Sequence, residues 1–377
     1  MNSKERMIAA LCLEEPDKVP YMDTITSIVI KDRILKKSST SSLFQTVRRQ
    51  APSDAYTAHM KNVEENIAIS KAVGMDTVII NDSECVSKGY KYKVLPDPQG
   101  RLIIQDQMGR IYLEGEGGER WYKDGIIKKP EDFDNYEFPD LEAPGKFDVI
   151  KKAVDLVGDE MFIIGSVHWG FNYAWELVGG MEKLFLYFYL NPGFAKNLLN
   201  KINKYMVEIA KIMMDLGVDA IHTRDDLAGT DGSLFSPKIF DEFIMPLVHN
   251  LTNTVKKRGS FLVMHSDGDL YQILEKLIDA GIDCFNPVEP AVMDLKTCKE
   301  RYGDRIALSG NVDCATTLVN GTPKDTREEV KRCIEVAAAG GGYVLSSSNS
   351  IYHGCRFENY VAMIGAKEEY GYYPLIL

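Results

Sequence analysis

The stretch Phe261-Leu-Val-Met-His265-Ser-Asp267-Gly-Asp269 begins as an apolar run and breaks at Ser-Asp-Gly. Such a run reads as a buried strand. Alternate residues of a strand face the same side, so His265 and Asp267 point together while Ser266 points away. A histidine and a carboxylate presented at the carboxyl end of a strand suit metal ligation or acid–base chemistry. They equally suit a core histidine satisfied by a nearby carboxylate, and the pair alone leaves both readings open.

Other apolar runs end in polar residues in the same way. Val19–Asp23 ends on Asp23, Thr77–Asp82 on Asn81 and Asp82, and Met161–His168 on His168 with Trp169 next. Asp219–Asp226 ends on Asp225 and Asp226, Cys284–Glu289 on Glu289, Ile306–Asp313 on Asn311 and Asp313, and Tyr343–Asn349 on Asn349. With Phe261–His265 these make eight strands. Helical periodicity separates most of them: 61–74, 147–157, 174–190 with 194–216, 237–257, 270–280, 294–302 and 326–338, with a last helix at 357–370. Eight βα units predict an α/β protein of the (β/α)8 TIM-barrel class, in which chemistry sits at the carboxyl ends of the strands. A doubly wound open sheet usually has fewer strands and a Gly-rich first turn.

An amphipathic helix is expected over 3–15, with Met7, Ala10 and Leu11 on one face. The Ser/Lys-rich stretch around Ser38–Ser42 suggests a loop or lid. Residues 83–144 interrupt the alternation with a hairpin-like pattern around Pro-Asp-Pro-Gln-Gly, and predict a small antiparallel cover inserted into one domain spanning 1–377. The run Gly-Glu-Gly-Gly does not lead from a strand into a helix, so it is given no nucleotide role.

The chain has 377 residues, net charge −11 and a 45% hydrophobic composition. The acidic balance argues against nucleic acid and against anionic membrane surfaces as partners. Seven scattered cysteines, without CxxC, fit reduced thiols in a cytoplasmic protein. The amino end is charged and lacks the apolar core of a secretory signal, and no apolar run has the length of a membrane span.

RMIAALCLEEPDKVP, GVDAIHTRDDLAGTDGSLFSPKIFDEFIMPLV, HSDGD, SGNVD and SNSIYHGCRFENYVAMI resemble the uroporphyrinogen decarboxylase superfamily in order and spacing. The resemblance implies a (β/α)8 barrel. It also implies one of two activities: porphyrinogen decarboxylation, or cobamide-dependent methyl transfer, in some members with zinc. The decarboxylase's early arginine segment, MRQAGRY-like, is replaced after Val19-Pro20 by YMDTITSIVIKDR, and a substrate rich in carboxylates needs several cationic partners. The zinc-dependent coenzyme M enzymes carry His-x-Cys at the fifth strand end and a later Cys. Those positions read His265-Ser-Asp267 and, aligned back from Glu358-Asn359, on or near Asn349.

Oxygen ligands in place of thiolates leave zinc a harder Lewis acid, suited to polarising an ether oxygen. The resemblance therefore implies methyl transfer from a small methoxylated donor to the Co(I) corrinoid of a partner protein. In that setting His265 and Asp267, with Glu289, are candidate metal ligands. His265, Asp267, Asp225 and Asp226 are candidate catalytic residues, although successive strand residues point apart, so one of Asp225 and Asp226 is expected to enter the site. Asp82, His168, Trp169, Asn311, Asn349 and Tyr352 are the expected substrate-side residues. The rings after the third strand could wall a pocket or pack the next helix. Asn311 and Asp313 could instead tie down the following loop. His222, mid-strand and opposite in phase to Asp225, reads as structural.

Overall fold

The computed structural model describes residues 1–36, 54–115 and 120–376. The expected lid around Ser38–Ser42 and residues 116–119 lie outside them. Thirteen strands are present among the described residues. They are β1 (Thr77–Asn81), β2 (Lys93–Leu95), β3 (Ile103–Gln105), β4 (Arg110–Glu114), β5 (Arg120–Gly125), β6 (Phe162–Val167) and β7 (Ala220–Arg224), followed by β8 (Ala228–Gly229), β9 (Gly232–Ser233), β10 (Phe261–His265), β11 (Cys284–Val288), β12 (Ala307–Val312) and β13 (Tyr343–Ser347). Seven of them form one parallel sheet in the order β1-β6-β7-β10-β11-β12-β13. Helices cross between its neighbours, as parallel pairing requires. Among the described residues no helix is long and apolar enough to cross a membrane.

The expected first strand, Val19–Asp23, is not a strand of this sheet but a bridged segment. Leu345 N–H donates to Pro20 O (2.9 Å) and Met22 N–H to Leu345 O (3.0 Å), while on the other side Asp76 N–H donates to Tyr21 O (2.8 Å). Pro20 has no N–H to give, which shortens the ladder. Asp23 fastens the segment to β13 by accepting Ser347 Oγ–H (2.8 Å) and Ser347 N–H (3.1 Å).

Burial pushes the Asp23 carboxyl up to about 6, against the hydrogen bonds from Ser347, Thr24 and Tyr21 that favour its anion. The unfolded carboxyl titrates near 3.9. Between these values the folded state holds the extra proton, so the stability linked to Asp23 is greatest below about pH 4 and falls as pH rises through about 6. Denaturant titrations should show the stability difference between wild type and Asp23→Asn shrinking over that window by up to about 1.4 kcal/mol per pH unit, then levelling. A difference independent of pH would contradict this assignment.

The first helix is Ser3–Leu11, capped by Asn2, which accepts Glu5 N–H (2.8 Å). It ends four residues earlier than expected. Leu13 takes a left-handed φ of 63°, Leu13 N–H reaches back to Ala10 O, and Glu14 N–H to Ala9 O, a Schellman-type stop made without glycine. Its face of Met7, Ala10 and Leu11 packs on Phe162, Ile164, Ala220, Val263, Cys284, Ala307 and Val344, an apolar layer inside the curved sheet. Two residues further along each of the six strands, on the same face, stand Ser166, His222, His265, Asn286, Ser309 and Ser346. A polar layer thus lies directly above an apolar one.

Two expected helices are interrupted. The 174–190 helix is two, Phe171–Val178 and Met181–Leu190, because Gly179 (φ 95°) and Gly180 (φ 146°) turn the chain between them. The 237–257 helix contains a π turn, Phe240–Ile244, just before Pro246, whose missing N–H breaks the regular ladder. The inserted cover is a four-stranded antiparallel sheet, β2-β3-β4-β5. It docks on Phe171–Val178 through Arg110, which bonds Asp106 and Glu176 and lies 3.8 Å above the Tyr173 ring.

Candidate metal and substrate site

His265 ends β10, and Asp267 follows two residues on. Its Nε2 lies 3.6 Å from Asp267 Oδ1 and 3.9 Å from Asp226 Oδ1. One donor atom from each of the three residues falls within 4.8 Å of the others. The loops are held by their own backbone. Asp267 N–H donates to Asp226 Oδ1 (3.1 Å), and Ser266, facing away as expected, accepts Leu227 N–H on its Oγ (2.9 Å). At Gly268 (φ 94°) a Cβ would sit 2.6 Å from the Ala228 carbonyl carbon, so glycine alone lets this turn cross the β8–β9 hairpin.

The tautomer of His265 follows from a directional chain of hydrogen bonds. Ser346 Oγ–H donates to Ser347 O (2.9 Å) and Ser309 Oγ–H to Ser346 Oγ (3.0 Å). Both hydroxyl oxygens then accept from Asn286 Nδ2 (3.0 and 3.2 Å). This turns Asn286 Oδ1 to His265 Nδ1 at 3.0 Å, which must carry the proton. The Nε2 lone pair is left facing the two carboxylates. A ligating histidine is commonly oriented by such a partner, whose loss costs about 10–100-fold in metal affinity or activity. If this group holds zinc, Asn286→Ala should weaken that binding by the same factor in a chelator competition. An unchanged affinity would remove Asn286 from the site.

Asp267 is the strained member. Burial pushes its carboxyl up to about 6, opposed by His265 and reinforced by Asp226 and Glu289, with the Asn349 hydrogen bond lowering it. Asn349 Nδ2–H donates to its Oδ2 (2.6 Å), while Oδ1 is buried without a hydrogen-bond partner. An orphaned buried carboxylate oxygen beside a histidine lone pair and a second carboxylate fits a divalent cation.

The other expected residues are distributed around this group. Glu289 accepts Gly268 N–H (2.7 Å) and stands outside the three. Asp225 is buried and accepts the N–H groups of Trp169 and Asn172 (2.5 and 2.7 Å), fixing the turn after β6, so Asp226 alone of the pair turns to His265. Trp169 is wholly buried, its indole N–H without a partner. Asn311 donates to Val288 O (2.7 Å) and accepts from Arg332 (3.0 Å), bonds that tie strand to helix. His168 lies against the Tyr173 ring, its Nδ1 3.5 Å from Asp225. Asp82 accepts the Tyr173 hydroxyl. Tyr352 is half-buried with its ring against His353. His222 is buried beneath His265, with ring centroids 5.9 Å apart, and burial drives its imidazole well below the ordinary range.

The parallel α/β sheet and the strand-end donors define the class first: a barrel-like α/β protein with a candidate metal centre. The uroporphyrinogen decarboxylase (URO-D) family profile matches residues 101–370, and the chain belongs to that family. It is 27% identical over 227 residues to the methylcobamide:CoM methyltransferase MtaA of Methanosarcina barkeri, a match covering 60% of this chain and 64% of that relative's length. It is 26% identical over 287 residues to the uroporphyrinogen decarboxylase of Chloroherpeton thalassium, covering 72% and 78%. The solved structure of a methyltransferase from Methanosarcina mazei superposes with a TM-score of 0.74 at 24% identity, covering 98% of this chain and 99% of that one, a likeness of fold.

Proposed function

We propose that this protein is a cytoplasmic methyltransferase that moves a methyl group from a small methoxylated compound to the reduced corrinoid of a partner protein. The carrying observation is the Asp226–His265–Asp267 group, an oxygen- and nitrogen-donor set on a URO-D-family scaffold. Methyltransferases among the relatives support the same reading. We also take the bridged segment 19–25, between Asp76 and β13, as the eighth element that closes the barrel.

Zinc held by these three residues would supply Lewis-acid polarisation of an ether oxygen. The protein's own part is positional. Asn286 keeps the His265 Nε2 lone pair aimed at the site, Asn349 holds one oxygen of Asp267 and leaves the other free, and the β8–β9 hairpin fixes the turn beneath. On this reading the electron pair of the broken C–O bond would stay on the substrate oxygen, and the partner's corrinoid would supply the Co(I) nucleophile that accepts the methyl group. Decarboxylation of a porphyrinogen is the second reading, supported by the decarboxylases among the relatives. It calls for several cations, whereas the groups around His265 are Asp226, Asp267, Asn286 and Asn349, with Arg224, its register partner on β7, as a single cation beside them.

The test is metal analysis of protein purified without chelator, followed by assay of methoxylated aromatic compounds with reduced cobalamin. Zinc near one per chain and methylcobalamin formation are expected. Metal-free protein would overturn the Lewis-acid reading and return the His265–Asp267 pair to proton transfer or plain binding.

A further inference from the structure

Arg224 ends β7 on the same face as His222 and is paired in register with His265 across the strand boundary. Neighbouring strands run about 4.8 Å apart, so its stem starts one strand spacing from the histidine. Its side chain is one-third exposed, and among the described residues its guanidinium makes no hydrogen bond. The nearest carboxylate, Asp82 Oδ1, is 3.6 Å from Nη2. Arg224 Nε and His222 Nε2 are buried without a hydrogen-bond partner; Asp82 Oδ1 and His168 Nδ1 likewise make no hydrogen bond, although each faces a charged neighbour, Arg224 at 3.6 Å and Asp225 at 3.5 Å. Asp82, His168 and His222 are each more than nine-tenths buried. Buried polar atoms ordinarily find hydrogen-bond partners, so four that make none at the ends of β1, β6 and β7 mark a place where polar ligand atoms belong.

We infer that this flank of the site is a substrate subsite in which Arg224 binds the carboxylate of the methyl donor, so that the donor is a small methoxylated carboxylic acid. The inference rests on the methyl-transfer reading for the donor's identity but not for the anion site itself. A guanidinium fork matches a planar carboxylate with two parallel N–H···O bonds. Asp82 faces the guanidinium at 3.6 Å, and Asp226 and Asp267 stand beside His265, its register partner, which makes a second negative charge on the ligand costly and favours a monoanion over phosphate. Asp82 is held by the Tyr173 hydroxyl and aims Arg224 without consuming its donors.

The experiment titrates the purified full-length protein with benzoate, a carboxylate with no methyl group to transfer, by calorimetry. Benzyl alcohol and inorganic phosphate serve as comparisons. Wild type should bind benzoate better than either. Arg224→Gln should bind it about 10- to 100-fold more weakly, with benzyl alcohol unaffected, and Arg224→Lys should fall between. If Arg224→Gln does not fold, the Lys variant decides. Failure of wild type to bind benzoate, or equal binding by folded variants, overturns the subsite. If benzoate binding needs Arg224 but no methoxybenzoate is demethylated with reduced cobalamin, the subsite stands and the methyl-transfer reading falls.

Discussion

On the proposed methyl-transfer reading, His265→Ala is expected to bind no zinc and to lower methyl transfer by on the order of 10³-fold, while remaining folded. The side chain is only 18% exposed, but it stands at the end of β10, above the apolar layer that holds the sheet together. Its loss removes the nitrogen donor and leaves Asp226 and Asp267 facing one another without a cation. Asp267→Asn should behave similarly, because it keeps the shape and an acceptor for Asn349 but removes the charge.

The raised Asp267 pKa sets the pH dependence. A carboxyl near 6 must lose its proton to serve as a ligand, so zinc affinity should drop by about tenfold per unit as pH falls below 6, and be flat well above it. Zinc competition assays from pH 5 to 8 on wild type and Asp267→Asn read this directly. Variants that keep stoichiometric zinc and the wild-type rate would sink the metal assignment.

Asp76→Ala is expected to cost about 3–5 kcal/mol of stability, the largest structural effect of a single change argued from this fold. Asp76 Oδ1 accepts from Arg6 Nη1 (2.5 Å) and Oδ2 from Tyr21 N–H (2.8 Å), and both charged side chains are buried. One carboxylate therefore joins the first helix, the bridged segment and the start of β1. Its removal strands a buried guanidinium nitrogen and a backbone N–H together. Asp17 also pairs with Arg6, but it is 38% exposed, and Asp17→Ala should cost about 1 kcal/mol. Urea unfolding of the two variants gives the comparison. Equal losses would mean that Asp76 is not the joint.

The alternation of apolar runs with helical periods was visible without coordinates, because buried parallel strands must be apolar and their crossovers amphipathic. So was the pairing of His265 with Asp267, which needs only a strand's period of two. The same period could have found Asn286, a polar residue two beyond Cys284 in a run that is otherwise apolar. Its role is not legible locally, because the groups that it bonds, Ser309, Ser346 and His265, lie on other strands. Arg224 lay in the strand run ending at Asp225 and Asp226 and, two beyond His222, shares its face. Local periodicity could not show that the 174–190 helix breaks at Gly179-Gly180, nor that Leu13 would stop the first helix.

By itself, then, the sequence determined the α/β class with its parallel sheet, the polar strand ends and the His265–Asp267 pair, since these depend on residues close along the chain. Only the tertiary structure decided that Asp226 joins them while Asp225 turns to the β6 loop. It alone revealed the Ser347–Ser346–Ser309–Asn286 chain that orients His265, and the groups around Arg224 that make no hydrogen bond. Those relations cross between strands distant in sequence, and the burial and hydrogen-bond direction that define them exist only once the sheet has curled.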